Sequence, residues 1–137
     1  ISSVVFEDFS GKKIDLKNYL GKLIIVNFWA TWCAPCKKEM PSLEILNQIN
    51  GIKVFPINLE KKDTNKTKKF FDNLNIKNLN IFFDPKLKLV EIFKLRGVPT
   101  TIFLDRDKKE FARVLGFADF SDIKFKKWII SKTTKNN

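Results

Sequence analysis

The sequence predicts a single α/β domain, in which a mixed central β-sheet is flanked by helices on both sides. The chain has 137 residues, 44% of them hydrophobic, so it can bury one core but is short for two. A near-continuous apolar run covers residues 23–29, as expected for a strand buried on both faces of a sheet. Strand and helix patterns alternate after this run, which is typical of parallel strands joined by helical crossovers.

The first predicted elements are a hairpin, a central strand and a helix. Residues 6–14 place a turn signal between two short apolar segments, which predicts an extended hairpin. The apolar run at 23–29 predicts the central strand. Apolar residues then recur at three-residue steps from Met40 onward, so residues 34–48 are predicted to form an amphipathic helix.

Further strands and helices follow, and the chain ends on a helix. A turn at residues 105–108 joins the last two strands into a predicted antiparallel hairpin. Ser121 is predicted to cap the last helix. We expect the domain to occupy residues 1–130 and the polar residues 131–137 to form a disordered tail. The other predicted strands are 52–57, 81–83, 101–104 and 111–115, and the other predicted helices are 61–74 and 85–95.

The chain is strongly basic, with a formal net charge of +11. Nearly all of its basic residues are lysines scattered beside Asn and Ile, whereas nucleic-acid readers rely on Arg forks and aromatic platforms. We therefore expect no nucleic-acid partner. A lysine cluster on the predicted helix 61–74 is interpreted as a solvated helix face, and a landing site for an acidic partner is the alternative. Its members are Lys61, Lys62, Lys66, Lys68 and Lys69.

Several absences bear on compartment and cofactor. No apolar stretch approaches the roughly 20 residues that span a bilayer. No charged start with an apolar segment precedes Ile1, which leaves open a cytosolic protein or one from which a leader or membrane anchor was removed. Two cysteines and no histidine are too few ligands for a structural zinc site and exclude haem ligation by histidine. We expect no metal and no cofactor.

The motif that carries chemistry is a cysteine pair, Cys33 and Cys36, where the central strand gives way to a helix. At a helix start, residues i and i+3 are within reach, so two thiols can close a small disulfide ring. Free N–H groups and the helix dipole favour the thiolate of Cys33, the predicted nucleophile. Cys36, one turn inside the helix, is expected to be more buried and is the predicted resolving thiol. The alternative is a static disulfide or two inert buried thiols.

The segment 26–37, with the sequence VNFWATWCAPCK, resembles the active-site segment of the thioredoxin superfamily, in particular of the bacterial envelope thioredoxins called TlpA-like or ResA-like. Pro41 matches the helix-kinking proline of this family, and Gly97-Val98-Pro99-Thr100 matches its cis-proline loop. The resemblance covers essentially the whole chain and implies a thioredoxin-like fold. It also implies a cis peptide bond before Pro99, close to the two sulfurs, and a Val98 backbone that pairs with an extended substrate segment.

The active-site segment and the strand after it hold further candidates. Trp32 is expected to be partly exposed and to serve as a docking surface. Asn27 stands where cytosolic thioredoxins commonly hold a buried Asp, and an amide cannot act as the base for Cys36. ResA-like proteins often use a buried Glu near the active site. Glu60, after the next strand, is the candidate for this role, although a one-residue change of register would place Lys61 there. A plain surface carboxylate is the alternative for Glu60.

Together these features predict a thiol:disulfide oxidoreductase that reduces protein disulfides through the Cys33 and Cys36 dithiol. The resemblance implies a location in the bacterial periplasm or cell envelope, where TlpA-like proteins prepare cysteines for haem or copper insertion. The expected partners are protein disulfide substrates and an upstream electron-donor protein. We expect a monomer that meets the membrane only through an anchor outside this sequence.

Other functions are less favoured by the same residues. A disulfide-forming oxidant or isomerase would gain from a charge between the cysteines, which Ala34 and Pro35 do not offer. A non-catalytic thioredoxin-like binding module would not need both cysteines. A peroxidase is the least favoured, because the Pro and Thr surroundings of a peroxidatic cysteine, as in peroxiredoxins, are absent.

Overall fold

The computed structural model describes residues 3–133, which form a seven-stranded sheet and four α-helices. The strands are β1 (Val5–Glu7), β2 (Lys13–Asp15), β3 (Leu23–Trp29), β4 (Ile52–Asn58), β5 (Phe82–Phe83), β6 (Thr100–Leu104) and β7 (Glu110–Leu115). The helices are α1 (Ala34–Asn47), α2 (Thr64–Asn73), α3 (Lys88–Ile92) and α4 (Ile123–Thr133), with a short 3-10 helix at Leu16–Asn18.

The sheet is mixed, as the sequence predicts. Its strand order is β2-β1-β5-β4-β3-β6-β7. The three strands β3, β4 and β5 are parallel, whereas β6 runs antiparallel to β3. Both predicted hairpins are present, β1 with β2 and β6 with β7. Because β3 is an interior strand, paired with β4 and β6, the cysteines that follow it lie at the edge of the sheet where β3 ends.

Hydrophobic cores lie on the two faces of the sheet, because successive residues of a strand point to opposite faces. Ile25 of β3 belongs to a first core that is completed by side chains of α1, α2 and α4. Its neighbour Ile24 belongs to a second core that is completed by α3 and the 3-10 helix. Every residue of β3 is buried, which explains its continuous apolar run. The expectation of helices on both sides of the sheet is confirmed.

A proline lies within β4, where its missing N–H would normally cost a ladder hydrogen bond. The N–H of Leu59, just beyond β4, donates to the carbonyl of Trp29 in β3 at 3.0 Å. Odd-numbered residues of this segment therefore face β3, and Pro56 faces the opposite side. On that side β5 pairs only with the last two residues of β4. No strand lies where an N–H at position 56 would donate, so Pro56 costs the sheet no hydrogen bond.

A side chain bridges the open side of β4. The side-chain oxygen of Asn47, at the end of α1, accepts the N–H of Val54 at 2.8 Å. The side-chain amide of Asn47 donates to the carbonyl of Asn78 at 3.0 Å. Asn47 thus takes the place that a longer β5 would have next to β4.

The second and third helices are shorter than the sequence predicts. α2 begins at Thr64, because the carboxylate of Asp63 caps it by accepting the N–H of Lys66 at 3.0 Å. α3 covers only five residues of the predicted segment 85–95. Leu87 and Lys94, at its two ends, have left-handed φ angles of 52° and 53°, which end a right-handed helix.

The last helix begins later and continues further than expected. The carboxylate of Asp122 accepts the N–H of Phe125 at 3.1 Å, so Asp122 caps α4. Ser121, the predicted cap, instead donates its hydroxyl to Asp119 at 2.5 Å. Residues 131–133 of the predicted tail are helical, and residues 134–137 lie outside the described residues.

Candidate active site

The two cysteines lie at the start of α1, just after the carboxyl end of β3, and they form a disulfide with Cα atoms 5.3 Å apart. Cys33 is the N-cap of α1, and its sulfur accepts the N–H of Cys36 at 3.2 Å. Cys33 is 4% exposed and Cys36 is 0% exposed. This is the arrangement that a nucleophile at Cys33 and a resolving thiol at Cys36 require, and these two roles stay a prediction.

Few charges lie beside the cysteines. Pro35 occupies the first turn of α1, where the missing N–H costs no helical hydrogen bond. Lys37 and Lys38 are both exposed, and the Nζ of Lys38 lies 5.1 Å from the centre of the Phe117 ring. Because water and salt screen exposed charges, the helix start is the main source of stabilisation for a Cys33 thiolate.

A groove of about 390 Å³ runs beside the cysteine segment, and the predicted substrate-binding residues Trp32 and Val98 both line it. Trp32 is 72% exposed, as a docking residue would need. The peptide bond between Val98 and Pro99 is cis, which confirms that prediction. Pro99 itself is buried, whereas Val98 is half-buried and Gly97 is exposed. Glu60 and Arg96 also line the groove.

Glu60, the predicted catalytic carboxylate, is held by hydrogen bonds from several donors. It accepts the N–H of Thr31 at 2.6 Å and the hydroxyl of Thr31 at 2.8 Å. It also accepts the side-chain amide of Asn58 at 3.0 Å and the ammonium of Lys66 at 3.2 Å. Partial burial raises the pKa of Glu60, but these hydrogen bonds outweigh it and bring the pKa below its ordinary value. Glu60 is therefore ionised at neutral pH and fixes the residue before Trp32.

A second carboxylate, Glu39 of α1, is far more buried, at 1% exposure. Its Oε1 accepts the side-chain amide of Asn27 at 2.9 Å, and its Oε2 accepts the N–H of Ala118 at 3.1 Å. The Asn27 amide also donates to the hydroxyl of Thr101 at 3.0 Å. Burial raises the pKa of Glu39 from 4.5 to about 7, although the hydrogen bonds from Ala118 and Asn27 oppose the shift. Glu39 can therefore gain or lose a proton near neutral pH.

Glu39 is the functional candidate that sequence reasoning missed. It lies three residues after Cys36, and residues i and i+3 share one face of a helix. An acid on the inward face of an amphipathic helix, immediately before the apolar Met40, was the signal available in the sequence. The exclusion of Asn27 as a base agrees with its contacts, since its amide holds the Glu39 carboxylate instead.

Nothing in residues 3–133 groups three Cys, Asp or Glu side chains in a way that would hold a metal ion. Within the same residues, no helix has both the length and the apolar character needed to cross a bilayer.

Comparisons with known proteins agree with this geometry. The profile of the AhpC/TSA family matches residues 3–109. The thiol-disulfide oxidoreductase ResA of Bacillus thuringiensis is 31% identical over 115 residues, which make up 82% of this chain but only 65% of that protein. The pneumococcal exposed lipoprotein thioredoxin of Streptococcus pneumoniae superposes with a TM-score of 0.76 at 26% identity, over 92% of this chain and 99% of that one. A DsbF homologue from Corynebacterium diphtheriae superposes with a TM-score of 0.78 at 25% identity, over 96% and 85%. The predicted thioredoxin-like fold is confirmed.

Proposed function

Because this chain belongs to the AhpC/TSA family, we propose that it is a thiol:disulfide oxidoreductase that reduces protein disulfides. The observation that carries the proposal is the cysteine pair at the start of α1, where the Cys33 sulfur bonds to Cys36 and also accepts its N–H. The similarity to ResA supports it, over the 65% of that protein which the match covers.

The proposed cycle begins with the reduced dithiol. The thiolate of Cys33 attacks one sulfur of a target disulfide, and the other target sulfur leaves as a thiolate. The thiolate of Cys36 then attacks the Cys33 sulfur of this mixed disulfide. The target sulfur that was bonded to Cys33 leaves as a thiolate, and the Cys33–Cys36 disulfide forms. Two electrons pass from the dithiol to the target, and an upstream electron-donor protein must return them to the Cys33–Cys36 disulfide.

Glu39 is proposed to handle the proton of Cys36. Cys36 must lose its proton before it attacks, and it is fully buried, which favours the neutral thiol. Glu39 lies one helical turn further along, and its pKa of about 7 suits a group that both accepts and returns a proton at neutral pH. The hydrogen bonds from Asn27 and Ala118 hold its carboxylate in place.

The groove is proposed to bind an extended segment of the substrate against Trp32, Val98 and the buried Pro99. Glu60 is proposed as a positioning residue, because its hydrogen bonds fix Thr31 next to Trp32. Its lowered pKa makes proton transfer by Glu60 near neutral pH less favourable than transfer by Glu39.

The compartment and the partners are part of the same proposal. One structural relative is an exposed lipoprotein, which supports a location in the bacterial periplasm or cell envelope. Maturation of cytochrome c or of copper sites is a process there that needs reduced cysteines. We propose that the chain acts as a monomer on protein disulfides.

Activity and direction are tested together on the purified chain. We expect wild-type protein to reduce insulin disulfides with dithiothreitol as donor, and the Cys33→Ser variant not to. Equilibration with glutathione buffers should give a potential nearer the roughly −270 mV of thioredoxin than the roughly −120 mV of DsbA, because only the helix start stabilises the Cys33 thiolate.

The alternatives have distinct outcomes in the same assays. A potential above about −180 mV would identify an oxidant or isomerase. A folded protein that leaves insulin intact would be a binding module, and steady consumption of peroxide would indicate a peroxidase.

A further inference from the structure

Arg96 lines the groove, and no residue within 3–133 pairs with its charge. It is exposed and lines the groove between Leu95 and Gly97. Among residues 3–133, no carboxylate forms an ion pair or a hydrogen bond with it. The other arginines are engaged, because Arg106 donates to the carbonyl of Thr133 at 2.6 Å and Arg113 donates to the carboxylate of Glu110 at 2.8 Å.

The acids near the groove do not neutralise Arg96. The carboxylate of Glu60 lines the groove, but its oxygens are directed to Thr31, Asn58 and Lys66. Glu91 of α3 is exposed and does not line the groove, although its neighbour Val90 does. Because Lys66 balances the charge of Glu60, the unpaired charge in the groove lining is the guanidinium of Arg96.

The lysine cluster at residues 61–69, which begins before α2 and continues into it, is less suited to attract an acidic partner than Arg96 is. Three of its five members are paired within the chain, Lys62 with Glu7 at 3.1 Å, Lys66 with Glu60 at 3.2 Å and Lys68 with Asp72 at 2.9 Å. The solvated-face interpretation fits these lysines, and among the described residues that line the groove the cation without a carboxylate partner is Arg96.

The rest of the groove has the form of a site for an extended peptide. Its walls are mostly apolar, from Trp32, Leu59, Val90 and Leu95. Within the described residues, the backbone N–H and C=O of Val98 have no hydrogen-bond partner, so they are free to pair with an added strand. A carboxylate next to such a strand would meet the guanidinium, which binds carboxylates in a planar, bidentate manner.

We propose that Arg96 makes this groove selective for disulfides that are flanked by carboxylates, so that the preferred substrates are acidic, extended segments. This inference rests on the proposed oxidoreductase function and names the substrate class of the same site. In the reaction that tests it, the Cys33 thiolate attacks a small disulfide and the second sulfur of that disulfide leaves as a thiolate.

The experiment compares three small disulfides as oxidants of the reduced protein. Glutathione disulfide carries more carboxylates than amines, cystamine carries two amines, and 2-hydroxyethyl disulfide is neutral. We expect Arg96→Gln to slow the reaction with glutathione disulfide about two- to five-fold, as for loss of an exposed ion pair. The variant should react faster with cystamine and equally fast with the neutral disulfide. Arg96→Lys should restore most of the preference.

A matched control separates a local effect from the net charge of the chain. Lys127 is exposed on α4, a helix that packs against the first core and does not line the groove. Lys127→Gln removes the same charge and should leave all three rates unchanged. Raising the salt concentration from about 0.02 M to about 0.5 M should shrink the Arg96 effect.

Each outcome is decisive. If Arg96→Gln and Lys127→Gln change the ratio of the glutathione disulfide and cystamine rates equally, the selectivity does not belong to Arg96 and the inference is overturned. If wild-type protein fails to react even with the neutral disulfide, the proposed function itself fails.

Discussion

At the scale of single residues, the most informative side chain is a carboxylate that is sealed inside the protein. Glu39 is 1% exposed. Its hydrogen-bond donors among the described residues are the Asn27 amide and the Ala118 N–H, and neither is a cation. Two neutral donors offset only part of the cost of burying a charge. Glu39 therefore binds its proton more tightly in the folded protein than in the unfolded chain, and proton binding by Glu39 is linked to folding.

The linkage predicts the pH dependence of stability. The pKa of Glu39 rises from 4.5 to about 7 on folding, so its contribution is full below pH 4.5 and is lost as the pH rises to about 7. The free energy of unfolding should fall by on the order of 3 kcal/mol across this window. Glu39→Gln should remove this fall, since Gln is always neutral and keeps an acceptor for Ala118.

Urea unfolding of both oxidised proteins between pH 4.5 and pH 8 measures the effect. Taking the difference between wild type and variant cancels the other titrating groups. Equal pH dependence in the two proteins would show that folding leaves the pKa of Glu39 at its ordinary value and would also remove its proposed role in proton transfer.

At the scale of secondary-structure elements, α1 does more than carry the cysteines. Its start holds the redox pair after β3. Its last residue, Asn47, accepts the N–H of Val54 in β4 and donates to the carbonyl of Asn78. The helix therefore fixes both the active-site end of the sheet and the open side of β4.

Asn47→Ala should destabilise the protein by about 1–3 kcal/mol, because it leaves the partly buried N–H of Val54 without an acceptor. Asn47→Asp is the comparison variant, since it keeps an acceptor for Val54 and replaces the donor to Asn78 with a carboxylate oxygen. Chemical denaturation should rank the proteins wild type, Asp variant and Ala variant in decreasing stability. An Ala variant as stable as wild type would mean that water satisfies Val54 equally well.

The sequence predicts most elements because their signals are local. The run at β3 and the three-residue steps of α1 need no knowledge of the rest of the chain. Glu39 could not be assigned in the same way, because its partners Asn27 and Ala118 lie 12 and 79 residues away. The short α3 was also out of reach, since the left-handed φ angles of Leu87 and Lys94 are unusual for residues other than glycine.

At the scale of the whole molecule, one sheet separates two hydrophobic cores. Ile24 and Ile25 are adjacent in β3 and both fully buried, yet they belong to different cores. Each core packs on one face of the same sheet, so both cores depend on the same strands. Loss of one core would remove support from the sheet on which the other core packs. We expect the two cores to unfold together.

Ile24→Ala and Ile25→Ala should each cost about 2–5 kcal/mol. In each variant, near-ultraviolet circular dichroism, to which the first-core residue Trp29 contributes, and far-ultraviolet circular dichroism should give one coincident transition. If Ile24→Ala lowered the far-ultraviolet midpoint and left the near-ultraviolet midpoint unchanged, the cores would be independent.

The proline in β4 has a consequence for how copies of the folded chain meet. On the side of β4 away from β3, the N–H of Ile52 is occupied by the carbonyl of Ile49, the N–H of Val54 by Asn47, and Pro56 has no N–H. The stretch that β5 leaves uncovered thus presents carbonyl groups but no free donors. A foreign strand needs both to be added in register, so we expect this gap to resist strand addition by another copy of the folded chain.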